Sequence, residues 1–332
     1  MSANVGVLCA SLAFVIYGVY PIYFKQLEDV SPLQMTCHRV VWTFVFVLPL
    51  FVWRVEWKSF RQTAIKPKVL GQYVVAAAAV VGMWFAFFWG VSNDFIVETS
   101  LGFFMNPILS VLLAVIVLKE RLRSWQWVSI ALAAAGVLEI AIAYGRFPWL
   151  AITIGVLLAV YGFVISTALL NPIESVTVEM IIVVVPALCV LIVSEAQGTG
   201  AFGHVSGSQN ALMVLSGPVA LIPLLLFAHA AHLISFSLLG LLQYIDPILT
   251  FIIGVAIYHE SFERSKMIGF ILVWCGLLIY VVESFVMQRL TSPAVPNDRE
   301  VASKVEGIQG SPSSSCGGFQ AVDDVAVTVA ER

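Results

Sequence analysis

Asp246 is a carboxylate set inside a long apolar run. A charged side chain at the centre of a bilayer costs roughly 2.5–3.5 kcal/mol even on a mild insertion scale. Such a group must be protonated, paired with a cation or bathed in cavity water. One role for it is to take and release a proton, and the alternative is a protonated carboxyl hydrogen-bonded to a neighbouring helix. Gln243 and Tyr244 lie within one helical turn before it and can add hydrogen bonds. Asn106, 140 residues earlier, stands in the matching place, since Asn106-Pro107-Ile-Leu-Ser110 aligns with Asp246-Pro247-Ile-Leu-Thr250. The third candidate is His38-Arg39. Arg39 falls about 9 Å into an apolar segment at 1.5 Å per residue, where its forked donors would suit an anionic group. Snorkelling to the headgroups is the plainer alternative. His38 is a candidate for proton exchange, or a structural histidine. These six side chains form the expected substrate-binding or coupling set.

Helices must position them, and two prolines say how. Pro107 and Pro247 sit near the middle of apolar runs. A proline inside a helix removes a donor and clashes with the carbonyl four residues earlier, at about 3 kcal/mol. The freed carbonyls belong to Phe103 and Gln243, and in hydrocarbon they need partners in the bundle interior or a wet cavity. A broken helix at both prolines is therefore expected. Glu120 and Glu260, and Gly136 and Gly276, repeat the same 140-residue offset, while Tyr17-Gly18 and Tyr161-Gly162 stand 144 apart. Shared offsets of this kind indicate duplication.

Composition sets the class. The chain is 60% hydrophobic and 11% charged, with a mean hydropathy of +0.96, against about a quarter charged residues in soluble domains. A spanning helix needs about 20 apolar residues. That length fits ten segments: 5–24, 33–53, 70–90, 98–118, 125–144, 148–169, 178–194, 209–231, 236–258 and 267–287. The expected fold is an all-α membrane protein, ten transmembrane helices in two inverted five-helix repeats, residues 1–145 and 146–290. Two five-span halves have opposite topology because five is odd, which is an architecture of secondary transporters. Residues 291–332, rich in Ser, Gly, Asp and Glu, read as a disordered tail. Lys and Arg in short loops favour the N-terminus inside. Arg54, Lys58, Arg61, Lys66, Lys68, Lys119, Arg121, Arg123 and Arg289 then face the cytoplasm, against Lys25, Arg146, Arg264 and Lys266 outside. Both termini are expected to be cytoplasmic, in a multi-pass protein of the cell (inner) membrane.

The remaining polar residues fit structural roles. Glu120 and Glu260 fall at helix ends beside basic loops, where cation pairing is expected, and Asn93, Asp94 and Glu98 read as a loop. His229 and His232 stand one turn apart, too few for a metal site and better suited to an interface. Four of the five cysteines lie in apolar runs without a CxxC pair, so neither a disulfide framework nor a metal is implied. No G-x-S-x-G, P-loop or His-Glu-x-x-His motif occurs. The chain is expected to be no enzyme and to carry no cofactor. Without a basic stripe among exposed aromatics, nucleic acid is not a partner. The expected partners are the lipid bilayer and a small-molecule solute, with a homodimer left open.

Several stretches resemble a known family. They are Tyr17-Gly18-Val-Tyr-Pro21-Ile-Tyr23-Phe24-Lys25, Cys37-His38-Arg39-Val-Val-Trp42, Glu98-Thr-Ser-Leu-Gly102-Phe-Phe-Met-Asn106-Pro107, Lys119-Glu120-Arg121 and Gln243-Tyr244-Ile245-Asp246-Pro247. Together they resemble the RarD branch of the EamA-type drug/metabolite transporters over about residues 5–287. The resemblance implies two inverted five-helix repeats and secondary transport, often export, of a small metabolite or drug-like solute. It also implies a small residue where this chain has Asp246. The alternatives from other classes are a non-transporting membrane receptor or scaffold, and an intramembrane enzyme.

Overall fold

In the computed structural model, residues 2–257 are described except 28, 94 and 146, together with part of 268–283. Asp94, Arg146, His259, Glu260, Arg264, Lys266, Arg289 and the 291–332 segment lie outside the described residues, as does much of the expected tenth span. Among the described residues every regular element is helical. In chain order they are α1 (Ser2–Gly18), α2 (Tyr20–Phe24), α3 (Pro32–Arg54), α4 (Trp57–Ala64), α5 (Pro67–Ser92), α6 (Ile96–Ile116), α7 (Ser124–Tyr144), α8 (Trp149–Ser166), α9 (Pro172–Ala196), α10 (Gly207–Ala231), α11 (Phe236–Leu242) and α12 (Ile245–Ala256).

Eight of the described segments are long and apolar enough to cross a membrane, from Ala3–Leu27 to Gly207–Ala231. The expected ninth span is instead a shorter apolar stretch, Phe236–Thr250, divided between α11 and α12. Large apolar side chains such as Leu8, Val74, Val185 and Ile192 are exposed on the outside of the bundle. Lipid tails are the solvent that makes such a surface stable.

Local signals explain the starts and stops. Pro32, Pro67 and Pro172 each open a helix, where the missing N–H is one of the groups left over anyway. α9 opens on a reciprocal cap, with the Glu174 amide donating to Asn171 Oδ1 at 3.1 Å and the Asn171 amide donating to Glu174 Oε2 at 3.2 Å. Recognising that cap moves the helix start from 178 back to 172. α7 stops at Gly145, whose φ of 74° is left-handed. The first span is interrupted between α1 and α2 because Pro21 has no amide to give the Tyr17 carbonyl.

The helices pack through small residues. α6 lies on α8, where a Cβ added at Gly102 would meet the Ala151 carbonyl at 2.9 Å. α3 runs between α9 and α10. At Gly217 of α10 an added Cβ would stand 2.5 Å from the Trp42 carbonyl carbon and 2.6 Å from its oxygen. Close backbone approach of this kind is a main source of helix association in lipid. Because the obstacle is backbone, it cannot rotate away. Gly217→Ala is expected to force α3 and α10 apart and cost about 1–3 kcal/mol, seen as a lower unfolding temperature of the purified protein. An unchanged midpoint would mean that the two helices do not meet there.

Candidate functional site

The interruption of the ninth span lies at Gln243–Tyr244, between α11 and α12, and not at Pro247. Pro247 sits in the first turn of α12, where a missing donor costs little. α6, by contrast, runs through Pro107 without a break. The expected pair of proline-broken helices is therefore corrected at both: Pro107 breaks nothing, and the second break comes three to four residues before Pro247. One lost hydrogen bond is tolerated at Pro107 because the flanking turns are held against α8.

Asn106 and Gln243 meet directly. The Asn106 amide donates to Gln243 Oε1, and Ser110 Oγ donates to Asn106 Oδ1 at 3.1 Å. All three side chains are buried. Gly240, one turn before Gln243, makes this possible, since a Cβ there would stand 2.9 Å from Ser110 Cβ. Tyr244 packs its ring near Phe104 and is fully buried, with its hydroxyl left without a hydrogen-bond partner. Asp246 lies in the first turn of α12, where a helix N-terminus favours an acid. Thr250 Oγ1 lies 3.3 Å from the Gly18 carbonyl and 3.4 Å from Asp246 Oδ1, positioned to donate to either. Asp246 is thereby set beside the interruption of the first span. Tyr17 and Tyr20 are within electrostatic reach of it.

Arg39 does not snorkel. It is 2% exposed, and its guanidinium lies 4.5 Å from the Trp84 ring centre, 4.8 Å from Tyr20 and 5.4 Å from Phe24. Three ring faces balance part of the charge, yet Nε and Nη2 have no hydrogen-bond partner. His38 points elsewhere, toward Phe202 at 5.4 Å, in the loop after α9. That loop is clasped by Gln34, which donates through Nε2 to the Thr199 carbonyl at 2.6 Å and accepts from the Ala201 amide at 2.8 Å. A cavity of about 280 Å³ lies there, lined by Gln34, His38, Leu191, Glu195 and Phe202 among others. The sequence candidates thus fall into three places: Asn106 with Gln243, Tyr244 and Asp246 along the α11–α12 break, and Arg39 and His38 on α3. Among the described residues no group of three His, Cys, Asp or Glu side chains is placed to hold a metal.

The model of the EamA-like transporter family matches this sequence twice, over residues 4–142 and 147–282. The chain belongs to that family. It is 34% identical to "Uncharacterized transporter YojE" of Bacillus subtilis over 83% of this chain and 93% of the relative. It is 35% identical to "Protein RarD" of Streptomyces exfoliatus, over 82% and 87% of the two chains, and 33% identical to "Protein RarD" of Escherichia coli, over 86% and 97%. A solved crystal structure shares the fold at a TM-score of 0.62, with 17% identity over 82% of this chain and 96% of that one. The protein is a RarD-type EamA transporter: a multi-pass membrane protein that moves a substrate these relatives leave unspecified.

Three glutamates of this EamA transporter do work that the sequence did not disclose. Glu98 lies in the first turn of α6, not in a loop, and accepts the Leu150 amide at the start of α8 at 2.6 Å. Glu120 caps α11 rather than pairing with a basic loop. Its Oε1 accepts the Phe236 amide at 3.0 Å, and its Oε2 accepts the Ser237 amide at 3.2 Å and Ser237 Oγ at 2.5 Å. Lys119, with φ at 55°, turns the chain so that the carboxylate faces that end. The third is Glu179, fully buried on α9, with neither oxygen hydrogen-bonded. A helix start read at 178 puts it at the membrane surface, whereas the true start at Pro172 puts it two turns inside. Glu120→Ala is expected to uncap α11 at a cost of about 1–2 kcal/mol, with Glu120→Gln milder. Thermal unfolding of both variants tests this, and equal midpoints for wild type and Glu120→Ala would remove the cap.

Proposed function

We propose that this transporter has ten spans in two inverted five-helix repeats, residues 1–145 and 146–290. We further propose that it exports a small organic metabolite or drug-like solute across the cytoplasmic membrane. One observation carries this reading. Asn106 of the first half donates to Gln243 of the second, both buried, where a spanning segment is broken. Inverted-repeat transporters build their sites from interrupted helices between the repeats, near the midplane. The second interruption, after Gly18, is linked to the α12 segment through Thr250, so backbone breaks from both halves adjoin. The separate family matches over 4–142 and 147–282 support the duplication. The Lys and Arg bias of the first-half loops supports cytoplasmic termini.

In this reading the solute is carried without chemical conversion, and the absence of a P-loop from the sequence favours an ion gradient as the energy source. Asp246 takes and releases the coupling proton beside the break, with Thr250 and Tyr20 near it. A receptor or scaffold would do better with an apolar junction than with the buried Asn106, Ser110 and Gln243 cluster.

Comparing metabolites inside and outside a deletion strain and an overexpressing strain tests export. At least one small solute should accumulate inside the first and outside the second, and identical profiles would overturn the reading. In vesicles carrying the purified protein, Asp246→Asn should abolish the dependence of that solute's movement on a proton gradient. Undiminished proton-dependent transport would remove Asp246 from coupling while leaving export intact.

A further inference from the structure

Glu179 is a carboxylate that the mechanism above does not use. It is 0% exposed, its two oxygens make no hydrogen bond of normal geometry, and the Tyr161 hydroxyl is the polar group that interacts with it most directly. The surroundings come from four helices. Tyr161 of α8, Tyr17 of α1 and Tyr73 of α5 are the titratable groups facing the α9 carboxylate. Tyr73 is already engaged, bonding Ser175 Oγ one turn before Glu179 at 2.8 Å. Arg39 and Asp246 lie near Tyr17, but neither forms an ion pair with Glu179 among the described residues. The Tyr161 ring stacks on Phe227 at 5.7 Å and 20°, and Phe227 meets Phe14 edge-on at 6.0 Å.

Three buried oxygens are thus unanswered: two of Glu179 and one of Tyr161. Each unmade hydrogen bond of this kind costs about 1–3 kcal/mol. A bare proton on Glu179, shared with the Tyr161 hydroxyl, answers two of them and leaves one carboxylate oxygen over. An alkylammonium group carries three N–H donors, enough for all three oxygens. We propose that Glu179 and Tyr161 form the binding site for the ammonium group of a transported amine. The site lies between α9 and the helices α1, α5 and α8, and is closed to solvent in this state. This assignment rests on the transporter reading and names a class of solute for it.

The test uses the full chain in lipid nanodiscs and the n-alkylamines from propylamine to hexylamine as probes. Matched n-alkanols and n-alkyltrimethylammonium salts, which lack the cation or its N–H groups, serve as comparisons. Calorimetric titration should show saturable binding of at least one amine, weaker by at least about tenfold for the matched alkanol and quaternary salt. Glu179→Gln should lose that binding, Tyr161→Phe should weaken it several-fold, and the exposed, remote Glu56→Gln should leave it unchanged. If Glu179→Gln does not fold, Tyr161→Phe locates the binding and the three probe classes establish its chemistry. No amine binding, as expected if Glu179 holds only a proton, overturns the proposal. So does equal binding of amines and quaternary salts, or unaltered binding by a folded Glu179→Gln. Export of an uncharged or anionic solute without amine binding would remove this inference and keep the transporter.

Discussion

Inside a bilayer no water is available to answer a polar group, so each one in a span must find its partner in the protein or in what the protein binds. The structure is organised by that rule. Helices satisfy most of their own backbone, save where Pro49, Pro107, Pro186, Pro218 and Pro223 interrupt it, and the remaining backbone groups lie at ends and breaks. The glutamates answer ends: Glu98 takes an amide of α8, and Glu120 takes two of α11. Asn106 and Gln243 answer each other beside a break. Among the described residues the buried atoms left without a hydrogen bond include donors of Arg39 and Trp42, the hydroxyls of Thr43, Tyr161 and Tyr244, and oxygens of Glu139, Glu179 and Glu283.

Close packing is the companion of this rule. Lipid gives helices little hydrophobic reason to associate, so contact has to come from shape and small residues. Gly102, Gly217 and Gly240 each stand where a methyl group would strike another helix. Two of them lie near polar side chains of the candidate site. Gly240 adjoins Ser110 beneath Asn106, and Gly217 adjoins Trp42, one turn from Arg39 and His38. The same approach that holds the helices together brings these polar groups within reach of the next helix.

Much of this was legible in the sequence, where the governing signal was additive. Apolar length and composition located the eight long segments, and the Asn-Pro and Asp-Pro repeat pointed to Asn106, Gln243 and Asp246 before any geometry. What stayed hidden depends on partners far along the chain. Nothing near Glu120 in sequence says that it caps a helix 116 residues on, and basic neighbours suggested a different role. Glu179 was missed for a local reason, because hydropathy alone starts the span too late and ignores the Asn171–Glu174 cap. Pro107 misled in the opposite sense, since a proline's cost is local while the packing that absorbs it lies on α8.

The attachment of α11 to α6 bears on how such a molecule can move. α11 is only seven residues long, yet it is fastened twice: at its start by Glu120, just beyond α6, and at its end by Asn106 of α6, which Ser110 holds in place. Two fasteners at opposite ends of so short a rod leave no freedom to swivel. Any rearrangement that shifted α11 alone would have to break both at once. Bending at the Gln243–Tyr244 seam breaks neither. α6 and α11 are therefore held as one unit, and α12 with Asp246 follows across the seam, tied to the first span through Thr250 and Gly18.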